Sequence, residues 1–260
     1  MREQCERAKR IPSEQATFKN KQLDIWTQAE KIWLDLRTWD ECAGEFTLDD
    51  MATERCFVGI DLAKVNDISS VAYLFPPVPG VRDRWRLIVR HYVPADDIHE
   101  RSRNNVPYET WSEQGWIRTT PGNCTDYGFI RADINQDAEQ VRVEKIVFDR
   151  HFAHELIQNL QDDGFDCLGF GQGFVSMATP TAELERLLIT GMIEHDGDRV
   201  LRWQAGNVVT RQDPAGNLKP DKDKSADKID GIVATIMALG VAMTEAPKRS
   251  IYDEREVRVI

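Results

Sequence analysis

The sequence predicts an α/β fold, a mixed sheet flanked by helices, and three observations carry that reading. Between Arg55 and Val93, three β-patterned runs follow one another through short links, as in an antiparallel meander. From Val143 onward, strand-like runs alternate with helical periodicity, as in crossover units. Single aspartates stand where these apolar runs end or turn inward.

Residues 1–50 read as a helical region separate from the rest of the chain. Leu23, Trp26, Trp33 and Leu34 recur at helical spacing, with Trp39 and Cys42 behind them. A tryptophan-bearing helical face needs a partner, and an upstream domain is the expected one. Thr47 to Glu54 is polar and acidic, suited to a linker into a main domain over 51–260. Arg55 to Asp61 is a short, mostly apolar run that reads as a buried strand. Ile68 to Phe75 is a second, stopped by Pro76, Pro77, Pro79 and Gly80, and Trp85 to Val93 alternates as a third. Pro94 to Gln140 holds helical pieces, Trp111 and Trp116, and a polar loop around Pro121 to Asp126.

Glu144 to Phe148 is the next strand, ending in Asp149. His151 to Asp163 carries Phe152, Leu156, Ile157 and Leu160 at helical spacing, with Gly164 as its stop. Phe165 to Phe170 is a short strand, and Thr179 with Pro180 predicts the start of a helix running to Gly191. Val200 to Val209 favours helix, Asp213 to Asn217 is a hairpin turn, and Ser225 is expected to cap a last helix from Ala226 to about Thr244.

Composition excludes several classes of function. Of 260 residues, 41% are hydrophobic and 30% charged, ordinary for a globular chain. No apolar run approaches the roughly 18 residues of a membrane span, and the polar stretch Met1 to Lys9 is no signal peptide. The five cysteines, at 5, 42, 56, 124 and 167, form no C-x-x-C pair, so reduced thiols are expected rather than a disulfide framework or zinc site. A net charge of −11 counts against a surface coated in basic residues for nucleic acid, and leaves room for a local basic patch.

The chemistry-bearing residues are carboxylates. Asp61 follows Phe57, Val58 and Ile60, and Asp149 follows Ile146, Val147 and Phe148, so both emerge where a buried strand ends. Asp230 precedes Val233, Ala234 and Met237 by three, four and seven positions, on or beside the buried face of the last helix. A carboxylate held against a core costs several kcal/mol unless it is paired or bound to a metal. Three of them invite a hard divalent cation, Mg²⁺ or Mn²⁺, with all-oxygen ligands. Two such ions about 4 Å apart suit phosphodiester hydrolysis, because they stabilise both the attacking and the leaving oxygen. Each aspartate taken singly reads first as a strand terminator or a helix surface residue; together and in this order the three point to a shared site.

Other motifs are weaker. Gly169, Gly171 and Gly173 follow a strand and precede a helix, but Phe174 stands where a dinucleotide loop needs its third glycine. His151 and His154 read as helix-start residues. Arg211, Lys219, Lys222, Lys224 and Lys228 surround the hairpin and the last helix, interleaved with aspartates. They are candidate contacts to a DNA backbone or members of a solvated mixed face.

The order of these segments, GID opening a meander, FDR ending a later strand and KIDGIVA opening a helix, resembles the nuclease domain of phage terminase large subunits. The run LRWQAGNVVTRQDPAGNLKPDKDKSADKIDGIVATIMAL is similar to the HK97-type members in particular. The resemblance covers roughly Arg55 to Met243. It implies an RNase H-like fold and a metal-dependent endonuclease that cuts concatemeric duplex DNA to make genome ends. On that basis Asp61, Asp149 and Asp230 hold two Mg²⁺ or Mn²⁺ ions, and Asp67 matches a recurring acidic position, as a supporting or ordinary loop residue. It further implies a terminase small subunit and a portal protein as partners, in the cytoplasm of the host. Residues 20–42 resemble the segment joining ATPase and nuclease in such subunits. No G-x-x-x-x-G-K-[ST] occurs, so the chain is expected to be part of a longer protein or a partial gene product, without ATP hydrolysis. Two alternatives stay open: a resolvase-like nuclease for branched DNA, and a noncatalytic docking module left by a prophage.

Overall fold

The computed structural model describes residues 33–62, 68–102, 106–150 and 154–245. The expected meander is present. Strands β1 (Arg55–Asp61), β2 (Ser69–Phe75) and β3 (Trp85–Pro94) pair antiparallel in sequence. After them come α2 (Ile98–Ser102), α3 (Tyr108–Glu113), β4 (Ile117–Thr120) and α4 (Tyr127–Ala138). The crossover half supplies β5 (Arg142–Asp149), α5 (His154–Asp162), β6 (Cys167–Phe170) and α6 (Phe174–Ile189). β7 (Ile193–His195), α7 (Arg199–Asn207), the hairpin β8 (Thr210–Gln212) with β9 (Leu218–Pro220), and α8 (Asp230–Glu245) complete the order, with α1 (Leu36–Glu41) ahead of β1. The main sheet runs β4-β3-β2-β1-β5-β6, with β7 also on β3. β5 lies parallel to both β1 and β6, so the sheet is mixed.

Alternation along the central strands divides the core in two. Phe57, Ala72, Leu74, Leu87 and Val147 face a cluster built from α6, α7 and α8. Val58, Ile60, Val71, Tyr73, Phe75 and Ile146 face Ile130 and Ile134 of α4 and Leu156, Ile157 and Leu160 of α5. On that second face, Asp133 and Asp137 of α4 pair with Arg118 of β4 and Arg90 of β3, which ties the helix to the sheet through partly buried ion pairs. Helix α8 is apolar nearly all round because it is buried on nearly all sides. It crosses β1 so closely that a Cβ built on Gly59 would lie 2.0 Å from the Ala234 carbonyl oxygen.

Several expectations change. Trp33 and Trp39 are buried within the described body: both join the cluster formed with α6, α7 and α8, and Trp39 stacks on the His195 ring at 4.6 Å. Leu23 and Trp26 lie outside the described residues. Thr47 to Glu54 is not a free linker, since Leu48 and Met51 are buried and Asp49–Met51 forms a 3-10 turn. Helix α6 starts at Phe174, before the expected Thr179–Pro180 signal, and carries Pro180 in its interior. β4 and β7 are additions to the expected strands, too short to show a period.

The last helix begins at Asp230, not Ala226. The reason is tertiary: Ser225 Oγ accepts from the Val209 amide at 3.1 Å and donates to the Asp221 carbonyl at 2.8 Å, while the Ala226 amide donates to the Asn207 carbonyl. The expected capping residue instead pins a loop, residues 221–229, against the end of α7.

Candidate active site

Asp61 closes β1 and Asp149 closes β5. The two lie one step beyond the Ile60–Phe148 partners of a parallel pair, which brings them side by side on one edge of the sheet. Asp61 is 2% exposed and Asp230, the first residue of α8, 6%; Asp149 is half-buried. Asp61 and Asp230 converge on one cation. Lys222 Nζ donates to Asp61 Oδ2 at 2.6 Å and to Asp230 Oδ1 at 3.1 Å. Gln172, on the loop after β6, donates from Nε2 to Asp61 Oδ1 at 3.3 Å, and Lys219 Nζ holds the Gln172 carbonyl at 3.0 Å.

Burial pushes the Asp61 carboxyl above the usual carboxylate range, against the pull of Lys222 and the Gln172 amide, and Asp149 pushes the same way. For Lys222, burial works against the charge, but Asp61 and Asp230 outweigh it and hold the ammonium above the usual lysine range. The Lys222 ammonium, at 2.6 and 3.1 Å, is the favourable electrostatic partner that joins the two carboxylates.

The start of α8, which carries Asp230, packs against β3 and α7. Ser70 and His91 stand in register with Asp61 across β2 and β3, with Ser70 Oγ 2.9 Å from His91 Nδ1 and His91 Nε2 3.4 Å from Asp198 Oδ1. This serine–histidine–aspartate row has the composition of a nucleophilic triad, yet all three side chains are buried, and Asp198 also caps α7 by accepting from the Leu201 amide at 2.6 Å. Helix α7 carries Gln204, whose Oε1 accepts from the Gly231 amide at 2.6 Å and so satisfies one open donor of α8 beside Asp230. Glycine is needed there: a Cβ would meet Gln204 Oε1 at 2.7 Å and His91 Cε1 at 2.9 Å. Gln204→Leu is therefore expected to cost about 1–3 kcal/mol by stranding that buried amide, read as a lower urea midpoint at unchanged slope. An unmoved midpoint would remove Gln204 as the cap.

Of the sequence-expected site residues, Asp61 and Asp230 meet through Lys222, with Asp149 beside Asp61; Asp67 and His151 lie outside the described residues. Among the described residues, no three His, Cys, Asp or Glu side chains stand close enough to hold a metal ion. The basic cluster divides. Lys222 is not a free backbone contact but part of the carboxylate site. Arg211 and Lys219 flank the Phe174 ring at 5.5 and 5.7 Å, fastening the hairpin to α6, and Lys224 is exposed. Gly169 and Gly171 make room for the Arg150 side chain, which a Cβ on Gly169 would meet at 2.9 Å. Gln172 and Gln204 were missed by sequence reasoning; only proximity of Gln172 to the glycine run offered a signal.

Acidic residues end two adjacent parallel strands of the mixed sheet, and a third opens the helix that crosses them, the α/β arrangement expected from the sequence. The chain belongs to the terminase large subunit endonuclease family, whose endonuclease-domain model matches residues 1–246. It is similar to the terminase large subunit of Enterobacteria phage HK97, 31% identical over 252 residues that make up 96% of this chain and 49% of that one. It is also 29% identical over 262 residues to protein YmfN of Escherichia coli strain K12, covering 97% of this chain and 58% of that one. The crystal structure of the HK97 large terminase superposes with a TM-score of 0.73 at 29% identity, over 92% of this chain and 50% of that one. The chain thus spans about half the length of the curated relatives it matches. Among its described residues no helix is long and apolar enough to cross a membrane.

Proposed function

We propose that this chain is a Mg²⁺- or Mn²⁺-dependent endonuclease that cuts concatemeric duplex DNA to generate genome ends during packaging. The observation that carries the reading is the convergence of Asp61 and Asp230, from different elements, on a single cation, with Asp149 on the adjacent strand. Two buried carboxylates that already share one positive centre are a hard-oxygen donor set, and this is the chemistry of a divalent ion site. Asp61, Asp149 and Asp230 would hold the ions. When bound, such ions supply an activated water and stabilise the leaving 3′-oxygen.

The chain's own residues do the positioning. β1 and β5 fix Asp61 and Asp149 at strand ends, Gln172 orients Asp61, and the Gln204 cap fixes the first turn of α8 and with it Asp230. The β8–β9 hairpin, with Arg211 and Lys219, and the loop carrying Lys224 and Lys228 face the DNA backbone on this reading. Asp67 would support the site from the β1–β2 connection. Residues 1–50 would join the nuclease to a motor domain, and the terminase small subunit and portal protein would be partners in the host cytoplasm.

Supercoiled plasmid incubated with the protein tests this directly. Nicked and linear products are expected with Mn²⁺ or Mg²⁺ and none with EDTA. Cleavage that persists in EDTA would sink the metal mechanism, and preference for a four-way junction over linear duplex would favour a resolvase. No cleavage with either metal would favour a docking module.

A further inference from the structure

We propose that Lys222 is a built-in counter-cation of the metal-free site, and that its ammonium and a divalent ion exclude each other at Asp61 and Asp230. The inference rests on the metal-dependent reading of the site. Lys222 Nζ takes one oxygen from each carboxylate, at 2.6 and 3.1 Å, from a loop rather than from the sheet or helix that carries them. Without that ammonium, the two nearly buried carboxylates would lose the cation that joins them. An ion coordinated by the same oxygens would stand within repulsive reach of Nζ, so metal entry requires the lysine to leave.

The loop is built to allow this. It is tied down at Ser225 and Ala226, through the Asp221 carbonyl, the Val209 amide and the Asn207 carbonyl, and Asp221 itself is anchored by its amide to the Val209 carbonyl. The Lys222 side chain between those anchors is itself 40% exposed, so it has solvent to turn into. The lysine thus competes with a divalent ion for the two carboxylates and sets a threshold of metal concentration for its entry.

Calorimetric titration of the full chain with MnCl₂, in the absence of DNA, tests the exclusion. Lys222→Gln is expected to bind Mn²⁺ at least about tenfold more tightly than wild type, a gain reduced by the partial exposure of the lysine. Lys222→Arg, which keeps the charge, should not show that gain. A second readout needs no variant. Acylation of Lys222 by an amine-reactive reagent, followed by mass spectrometry, should be slow without metal and faster with saturating Mn²⁺, while exposed Lys224 reacts at one rate throughout. Equal or weaker Mn²⁺ binding by Lys222→Gln overturns the proposal, as does a labelling rate at Lys222 that metal leaves unchanged or lowers. Should Lys222→Gln fail to fold, the labelling decides. Asp61→Asn separates the two levels. If it weakens Mn²⁺ binding while Lys222→Gln does not tighten it, only the lysine's role falls. If wild type binds no Mn²⁺, or Asp61→Asn binds it undiminished, the metal site itself falls and this inference with it.

Discussion

Asp61→Asn is expected to lower Mn²⁺-dependent plasmid cleavage at least about tenfold, the lower end of what losing even an outer partner of a metal ligand costs. The substitution is nearly isosteric. The amide oxygen can still accept from Lys222 or Gln172, so the circular dichroism spectrum should not change. The metal response should. An ion that binds only the folded state stabilises it by about 2.7 kcal/mol at a hundredfold excess over Kd. For a domain of this size, that is a rise of several degrees in the wild-type melting temperature. Asp61→Asn should lose most of that rise along with the activity. Loss of cleavage with an intact Mn²⁺ shift would separate Asp61 from the ion. Undiminished cleavage would remove it from the site altogether.

Gly59→Ala should have the largest effect on stability. Its added Cβ would lie 2.0 Å from the Ala234 carbonyl oxygen and 2.9 Å from the carbonyl carbon, both backbone atoms that no rotamer change can move aside. Helix α8 would have to lift from β1, opening the core between them and carrying Asp230 away from Asp61. The overpacking is expected to cost about 3 kcal/mol or more. Thermal melting should show a drop on the order of 10 °C, with cleavage falling further than the folded fraction does. A melting temperature within a degree or two of wild type would mean that α8 is not seated on Gly59. The expected drop would mark the glycine as a required close approach, and its place two residues before Asp61 couples packing to chemistry.

How much of this was legible in the chain depends on the range of the forces involved. Apolar alternation and Pro/Gly punctuation placed β1, β2, β3, β5 and β6 and the β8–β9 turn, because strand burial and turn chemistry act over a few residues. The same reading put Asp61 and Asp149 at strand ends and Asp230 on the inner face of the last helix. The resemblance to terminase nucleases added the fold and the expected chemistry.

What local pattern left open was decided by contacts between distant segments. Ser225 looks like a helix cap by its neighbours, yet its hydroxyl is committed to Val209 and Asp221, so α8 opens at Asp230 and presents that carboxylate on its first turn. Lys222 reads as one cation in a mixed run, but the fold sets it against Asp61, 161 positions away, and turns it into the partner of two acids. Trp39 asks only for a partner and finds His195 in its own body. Gln204 carries no sequence signal at all, since the amide it caps belongs to another helix. Periodicity specifies which face of an element is buried; which polar group meets which is settled only when the elements dock, because an unpaired buried donor or charge costs too much to remain.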